Sequence, residues 1–193
     1  MKIGFDFDNT IVCYDKAITT LSDVIELPKK LTRNRLFIRD YLKAQNREFE
    51  WTKFQGLLYG PGMKYAKPYE FFIEVAKNLI LNSNELFIIS HRTRYPYAGK
   101  KFDLHKEANF WINKNINDPI IIKQKNIFFE ETIEKKINKI DELKIDIYID
   151  DLISIINHEN FPAHTKTVLF DPNNINIIFQ NKISNWKEFL KYV

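Results

Sequence analysis

Short runs of Ile, Phe, Leu and Tyr alternate along this chain with longer stretches in which apolar residues return every three or four positions. The runs cover residues 3–7, 86–89, 119–122, 127–129, 145–149 and 167–170. Runs this short, separated by helical stretches, predict buried strands of a parallel sheet. The separators have the helical period. Residues 69–81 bring Phe72, Ile73, Ala76 and Ile80 to one face, and residues 105–113 do so with Ala108, Trp111 and Ile112. Residues 131–143 carry Ile133, Ile137 and Ile140, and residues 185–192 carry Trp186, Phe189 and Leu190. This alternation predicts an α/β fold with a mostly parallel sheet.

Between residues 12 and 67 the rhythm changes. No good strand run occurs there, and the segment reads as amphipathic helices over 16–25, 34–45 and around 51–59. Gly60-Pro61-Gly62-Met63 marks a turn or hinge. So long a connection between the first two strands exceeds one crossover helix. The expected organisation is a core of residues 1–11 and 68–193 with a helical cap, residues 12–67, inserted after the first strand.

Composition narrows the function classes. The 29 Lys and Arg exceed the 25 Asp and Glu, giving a net charge of +4. The lysines are scattered among Asn and Ile with no clustered arginine run, which describes a solvated surface better than a nucleic-acid polymer site. Sixteen Phe and nine Tyr supply enough apolar surface to exclude dominant disorder. The single Cys13 excludes a disulfide scaffold or a cysteine-rich zinc site. No stretch approaches the ~20 apolar residues of a membrane helix. The first apolar run is broken at once by Asp6 and Asp8, unlike a signal peptide. The expected compartment is the reducing cytoplasm.

Parallel sheets hold ligands beyond the carboxyl ends of their strands. Asp6, Asp8, Ser90, Asp150 and Asp151 all stand at such ends in the predicted arrangement. Asp6-Phe7-Asp8-Asn9-Thr10 offers two carboxylates at i and i+2, which suits either an ion or a solvated turn; a calcium loop is excluded by its spacing. Ser90-His91-Arg92 offers a hydroxyl and backbone N–H groups to a phosphate oxygen, or simply a helix cap. Asp150 and Asp151 after a buried strand are costly unless a cation compensates them. Oxygen-only ligands favour Mg²⁺ over Zn²⁺; the alternative is an acidic helix start.

Taken together and in this order, the motifs resemble the haloacid dehalogenase-like (HAD) superfamily. Its marks are a strand-ending Asp-x-Asp-x-Thr/Val, a strand-ending Ser or Thr, a lysine, and a strand-ending acidic pair. The resemblance implies a Rossmann-like sheet with helices on both faces and a Mg²⁺-dependent phosphomonoesterase acting on a small phosphorylated metabolite. It implies that Asp6 is the nucleophile, taking the phosphoryl group as an aspartyl phosphate. Asp8 would be the acid and base, offering its backbone carbonyl to the metal. Ser90 and a lysine would hold the phosphate, and Asp150 and Asp151 would complete a metal site with Asp6 and Asp8. Register against the family favours Lys136 for that lysine, with Lys135 second.

Thr10, His91 and Arg92 are further candidates for contact with phosphate or substrate, and Lys53, Gln55 and Tyr59 for contact from the cap. Loop surface or core packing accounts for these residues equally well. Asp103 and His105, before the next helix, are weaker candidates, and an N-cap role accounts for Asp103 equally well. A phosphomutase or phosphotransferase of the same superfamily is an alternative, as is a phosphate-binding module without turnover. A dehalogenase is disfavoured, because Asp8 and the acidic pair would lack a purpose.

Overall fold

Strands and helices begin at the second residue in the computed structural model, which describes residues 1–28, 30–31, 35–116, 121–176 and 178–193. In chain order the elements are β1 (Lys2–Phe5), β2 (Val12–Cys13), α1 (Asp15–Leu21), α2 (Arg35–Ala44), α3 (Glu48–Tyr59), β3 (Lys67–Pro68), α4 (Phe72–Leu81) and β4 (Glu85–His91). There follow α5 (Leu104–Asn115), β5 (Ile127–Glu130), α6 (Ile133–Glu142), β6 (Ile147–Asp150), α7 (Ile153–Ile156), β7 (Lys166–Phe170) and β8 (Lys182–Ile183). The chain divides into two units. The first holds Met1–Val12, Pro68–Arg92 and Ile116–Val193, and the second holds Cys13–Lys67 and Thr93–Asn115. No helix among the described residues is long and apolar enough to cross a membrane.

The first unit is built on a six-stranded sheet in the order β5-β4-β1-β6-β7-β8, with parallel ladders throughout. The chain steps outward from β1 through β4 to β5, then returns to the other side of β1 with β6. That reversal makes the boundary between β1 and β6 a topological switch point, where loops diverge and leave a crevice at the strand ends. Register sets Gly4 beside Phe87 and Tyr148 on one face, and Phe5 beside Ile88 and Ile149 on the other. Helices cover both faces. On the first face, Ile140 of α6 and Ile155 of α7 pack with Phe87, Ile89, Ile145 and Tyr148. On the second, Phe5 meets Phe72 of α4 edge-on at 5.6 Å and Trp186 at 5.5 Å, while Phe170 stacks on Trp186 at 5.1 Å.

Several expectations need adjusting. Residues 185–192 do not form an α-helix: Trp186–Lys191 is a 3₁₀ helix. Three residues per turn align Trp186 and Phe189, so both enter the aromatic cluster around Phe5. The run 119–122 is not a strand where it is described; Ile121 and Ile122 are buried in a turn, and Pro119 and Ile120 lie outside the described residues, as does Asn34. Strands β2, β3 and β8 have two residues each and leave no readable run. The helix expected in the core at 105–113, α5, belongs to the second unit. Its buried stripe of Leu104, Ala108, Trp111 and Ile112 packs there, and the Trp111 indole N–H donates to the Ala66 carbonyl at 3.1 Å. In that unit the Tyr14 and Tyr59 rings meet at 5.2 Å, and Lys53 extends its ammonium over the Phe49 ring. Gln55 is half-buried.

Gly4 is required by close approach. A Cβ there would stand 2.8 Å from Tyr148 Cδ2 and 3.2 Å from Ile145 Cγ2. Gly4→Ala is therefore expected to lower stability by about 1–3 kcal/mol, as overpacking does in well-filled cores. Chemical denaturation measures this; an unchanged midpoint would show that the Tyr148 ring can yield.

Candidate active site

The exit of β1 is held in a tight loop. The Asp6 N–H still donates to the β6 carbonyl of Ile149 at 2.8 Å, extending the pairing one residue past the strand. The chain then folds back, with the N–H groups of Ile11 and Val12 both donating to the Phe7 carbonyl. Asn9 takes φ of 63°, a left-handed conformation that asparagine tolerates better than most residues. This loop presents Asp6 beside the neighbouring strand ends. Asp6 is 5% exposed, and its Oδ1 accepts two bonds, from Ser90 Oγ at 2.9 Å and from Lys136 Nζ at 2.6 Å.

Lys136 reaches this point because α6 starts where it does. Thr132 caps the helix by accepting the Lys135 N–H at 3.2 Å. From that start, Ile133, Lys136, Ile137 and Ile140 share the inward stripe, whereas Lys135 is exposed. Lys136 also donates to Asp150 Oδ2 at 2.6 Å, and Asp150 Oδ1 accepts the Leu152 N–H at 2.8 Å. Burial alone would pull the Lys136 pKa down, but Asp150 and Asp6 outweigh it and hold it well above the ordinary lysine value. Asp6 behaves oppositely. Burial pushes its carboxyl up to about 7, with Lys136 opposing the rise and Asp150 adding to it.

Ligand atoms of Asp6, Asp150 and Asp151 lie within 4.8 Å of one another. If all three carboxylates ionise, the single ammonium of Lys136 leaves an excess of two negative charges. A divalent cation matches that excess, and a donor set of carboxylates alone suits a hard ion such as Mg²⁺.

The remaining candidates are placed differently. Asp8 does not join the acidic group through its carboxylate; both of its side-chain oxygens accept from Arg92 Nη1, at 2.6 and 2.5 Å. Arg92, expected to meet phosphate or substrate, thus directs its guanidinium to Asp8. Thr10 is fully enclosed, and its Oγ1 has no hydrogen-bond partner. His91 is half-buried, and burial, followed by the nearby Lys136 charge, lowers its pKa. Sequence reasoning missed Tyr148. Its hydroxyl donates to the Ile89 carbonyl at 2.6 Å, and Lys136 Nζ stands 5.5 Å from its ring centroid. The available signal was a polar aromatic alternating with the isoleucines of β6.

Neither a protein-family model nor a curated protein matches the chain by sequence. Solved structures do match it in fold. A predicted phosphatase from Clostridium acetobutylicum is 13% identical with a TM-score of 0.64, over 99% of this chain and 96% of that one. A HAD-hydrolase-type protein from Bacillus subtilis, bound to magnesium, is 14% identical with a TM-score of 0.60, over 99% and 97%. A phosphoserine phosphohydrolase-like protein from Francisella tularensis is 16% identical with a TM-score of 0.55, over the full length of both. At such identities the likeness carries architecture, and the architecture is that of the HAD-superfamily hydrolases.

Proposed function

We propose that this protein is a Mg²⁺-dependent phosphomonoesterase acting on a small phosphorylated metabolite. The observation that carries the reading is the buried cluster at the switch point, where Asp6 shares Lys136 with Asp150 and accepts the Ser90 hydroxyl. A carboxylate so placed can attack phosphorus, forming an aspartyl phosphate as the ester P–O bond breaks. Asp8 gives a proton to the leaving oxygen, then takes one from the water that releases inorganic phosphate from Asp6. Ser90 and Lys136 hold the phosphoryl oxygens, supplying the electrostatic stabilisation that dominates such transfers. Asp6, Asp150 and Asp151 would hold Mg²⁺, which neutralises charge on the transferring group.

The test is release of inorganic phosphate from a panel of sugar, amino-alcohol and nucleotide monophosphates. Turnover is expected with Mg²⁺, loss with EDTA, and inhibition with Ca²⁺, whose higher coordination number departs from the octahedral geometry that Mg²⁺ demands. Full activity in metal-free buffer would remove the acidic group as a cation site, and no phosphate from any ester would remove the reading itself. Binding has a thermal signature as well. At a hundredfold excess over Kd, one bound ion stabilises by about 2.7 kcal/mol, which for a chain of this size raises Tm by roughly 5–10 °C. An unchanged Tm with Mg²⁺ would count against the site.

A further inference from the structure

We propose that Arg92 is a positioning residue for Asp8, fixing the carboxylate that the phosphatase reading makes the acid and base; the role assigned to Arg92 rests on that reading. The Arg92 side chain is 2% exposed, so its guanidinium has lost nearly all of its water. A charge in that state is tolerated only with a close partner. Its backbone is fixed from β5, since the Arg92 N–H donates to the Glu130 carbonyl at 2.8 Å. Its guanidinium lies 5.7 Å from the Phe7 ring centroid and ends on both oxygens of Asp8. Asp8 is 15% exposed at its side chain, so the pair is not wholly sealed from solvent.

The consequence is positional. Asp8 lies in the loop after β1, directly before the left-handed Asn9, and that backbone leaves more than one staggered side-chain rotamer open. The buried guanidinium chooses it. Misplacing a catalytic group by ~1 Å can cost about 10²-fold in rate, and the loss falls where proton transfer matters. An alkyl phosphate has a leaving oxygen that must be protonated; p-nitrophenyl phosphate does not. A lysine here would keep the charge while losing the planar, weakly hydrated guanidinium that suits a buried ion pair.

Two variants, Arg92→Gln and Arg92→Lys, test the proposal after Tm has established that each folds. With Mg²⁺ present, kcat for alkyl phosphate esters is expected to fall about 10²-fold in Arg92→Gln. The fall should be about tenfold smaller for p-nitrophenyl phosphate, KM should change less than about threefold, and Arg92→Lys should recover part of the loss. A raised KM with unchanged kcat on every ester would make Arg92 a phosphate-binding group and overturn the proposal. Crystal structures of the same variants decide the positional claim without turnover. Asp8 is expected to leave its present rotamer in Arg92→Gln, and an unmoved Asp8 carboxylate overturns the proposal. If the wild-type protein hydrolyses no ester, the phosphatase reading fails, and the position of Asp8 in those crystals still decides whether Arg92 sets it.

Discussion

Asp6→Asn is expected to lower phosphate-ester turnover by about 10⁴-fold or more, while the variant melts at or above the wild-type temperature in metal-free buffer. The first half follows from chemistry: an amide cannot form the acyl phosphate, and loss of a nucleophile is among the costliest single changes an enzyme suffers. The second half follows from burial. Asp6 is forced up to about 7 from an ordinary 3.8, chiefly by desolvation, so the fold disfavours its charged form. An acid whose pKa is raised on folding contributes stability that is complete below about 4 and lost as pH rises through about 7. An asparagine keeps an oxygen for Ser90 and Lys136 and removes that loss. The comparison is turnover at neutral pH together with Tm at pH 5 and pH 8, both proteins in EDTA. Near wild-type turnover would end the nucleophile assignment. A variant Tm well below wild type at pH 8 would show that the ionised carboxylate supports the fold.

Lys136→Ala is expected to be damaging twice over. Removing one partner of a buried ion pair leaves the other uncompensated, at a cost of about 3–5 kcal/mol. Here two carboxylates lose their ammonium together. The barrier to phosphoryl transfer should rise by a further ~2–4 kcal/mol, the range for removing an electrostatic contact to a developing charge. Lys136→Met fills more of the vacated space and separates the two effects, restoring part of the Tm but none of the kcat. Lys135→Ala is the control. That side chain is exposed near the N-terminal end of α6, where a cation opposes the helix dipole, so its loss should change Tm and kcat little. If Lys135→Ala were the crippling change, the buried lysine would not be the one that meets phosphate.

How much of this was legible beforehand depends on the range over which each feature is determined. The strands β1, β4, β6 and β7 stood out because apolar residues crowd into runs that end on Asp or Ser. Lys136 could be chosen over Lys135 because it lies three residues after Ile133 and four before Ile140, on the stripe that the helix must bury. Features decided by partners far along the chain were not legible. The pairing of Arg92 with Asp8 spans 84 residues and depends on the loop after β1 folding back. The placement of α5 in the second unit was equally hidden, since an apolar stripe states that a helix buries a face and not which surface it buries it on. The 3₁₀ turn at Trp186–Lys191 was obscured for a related reason: Trp186 and Phe189 fit either helix type until the aromatic cluster fixes them.

The strand order has a consequence for the protein while it is being made. β1 sits in the middle of the sheet, yet its two neighbours are supplied by residues 85–88 and 147–149. At ribosomal speeds of ~5–20 residues per second, its second edge waits on the order of ten seconds for a partner. For that interval a run of Ile, Gly and Phe with open hydrogen-bonding edges invites pairing with other nascent chains. Asp6 and Asp8, at the end of that run, place negative charge where such pairing would extend. Two charges at the end of β1 would thus discourage such pairing until β4 and β6 enclose the strand.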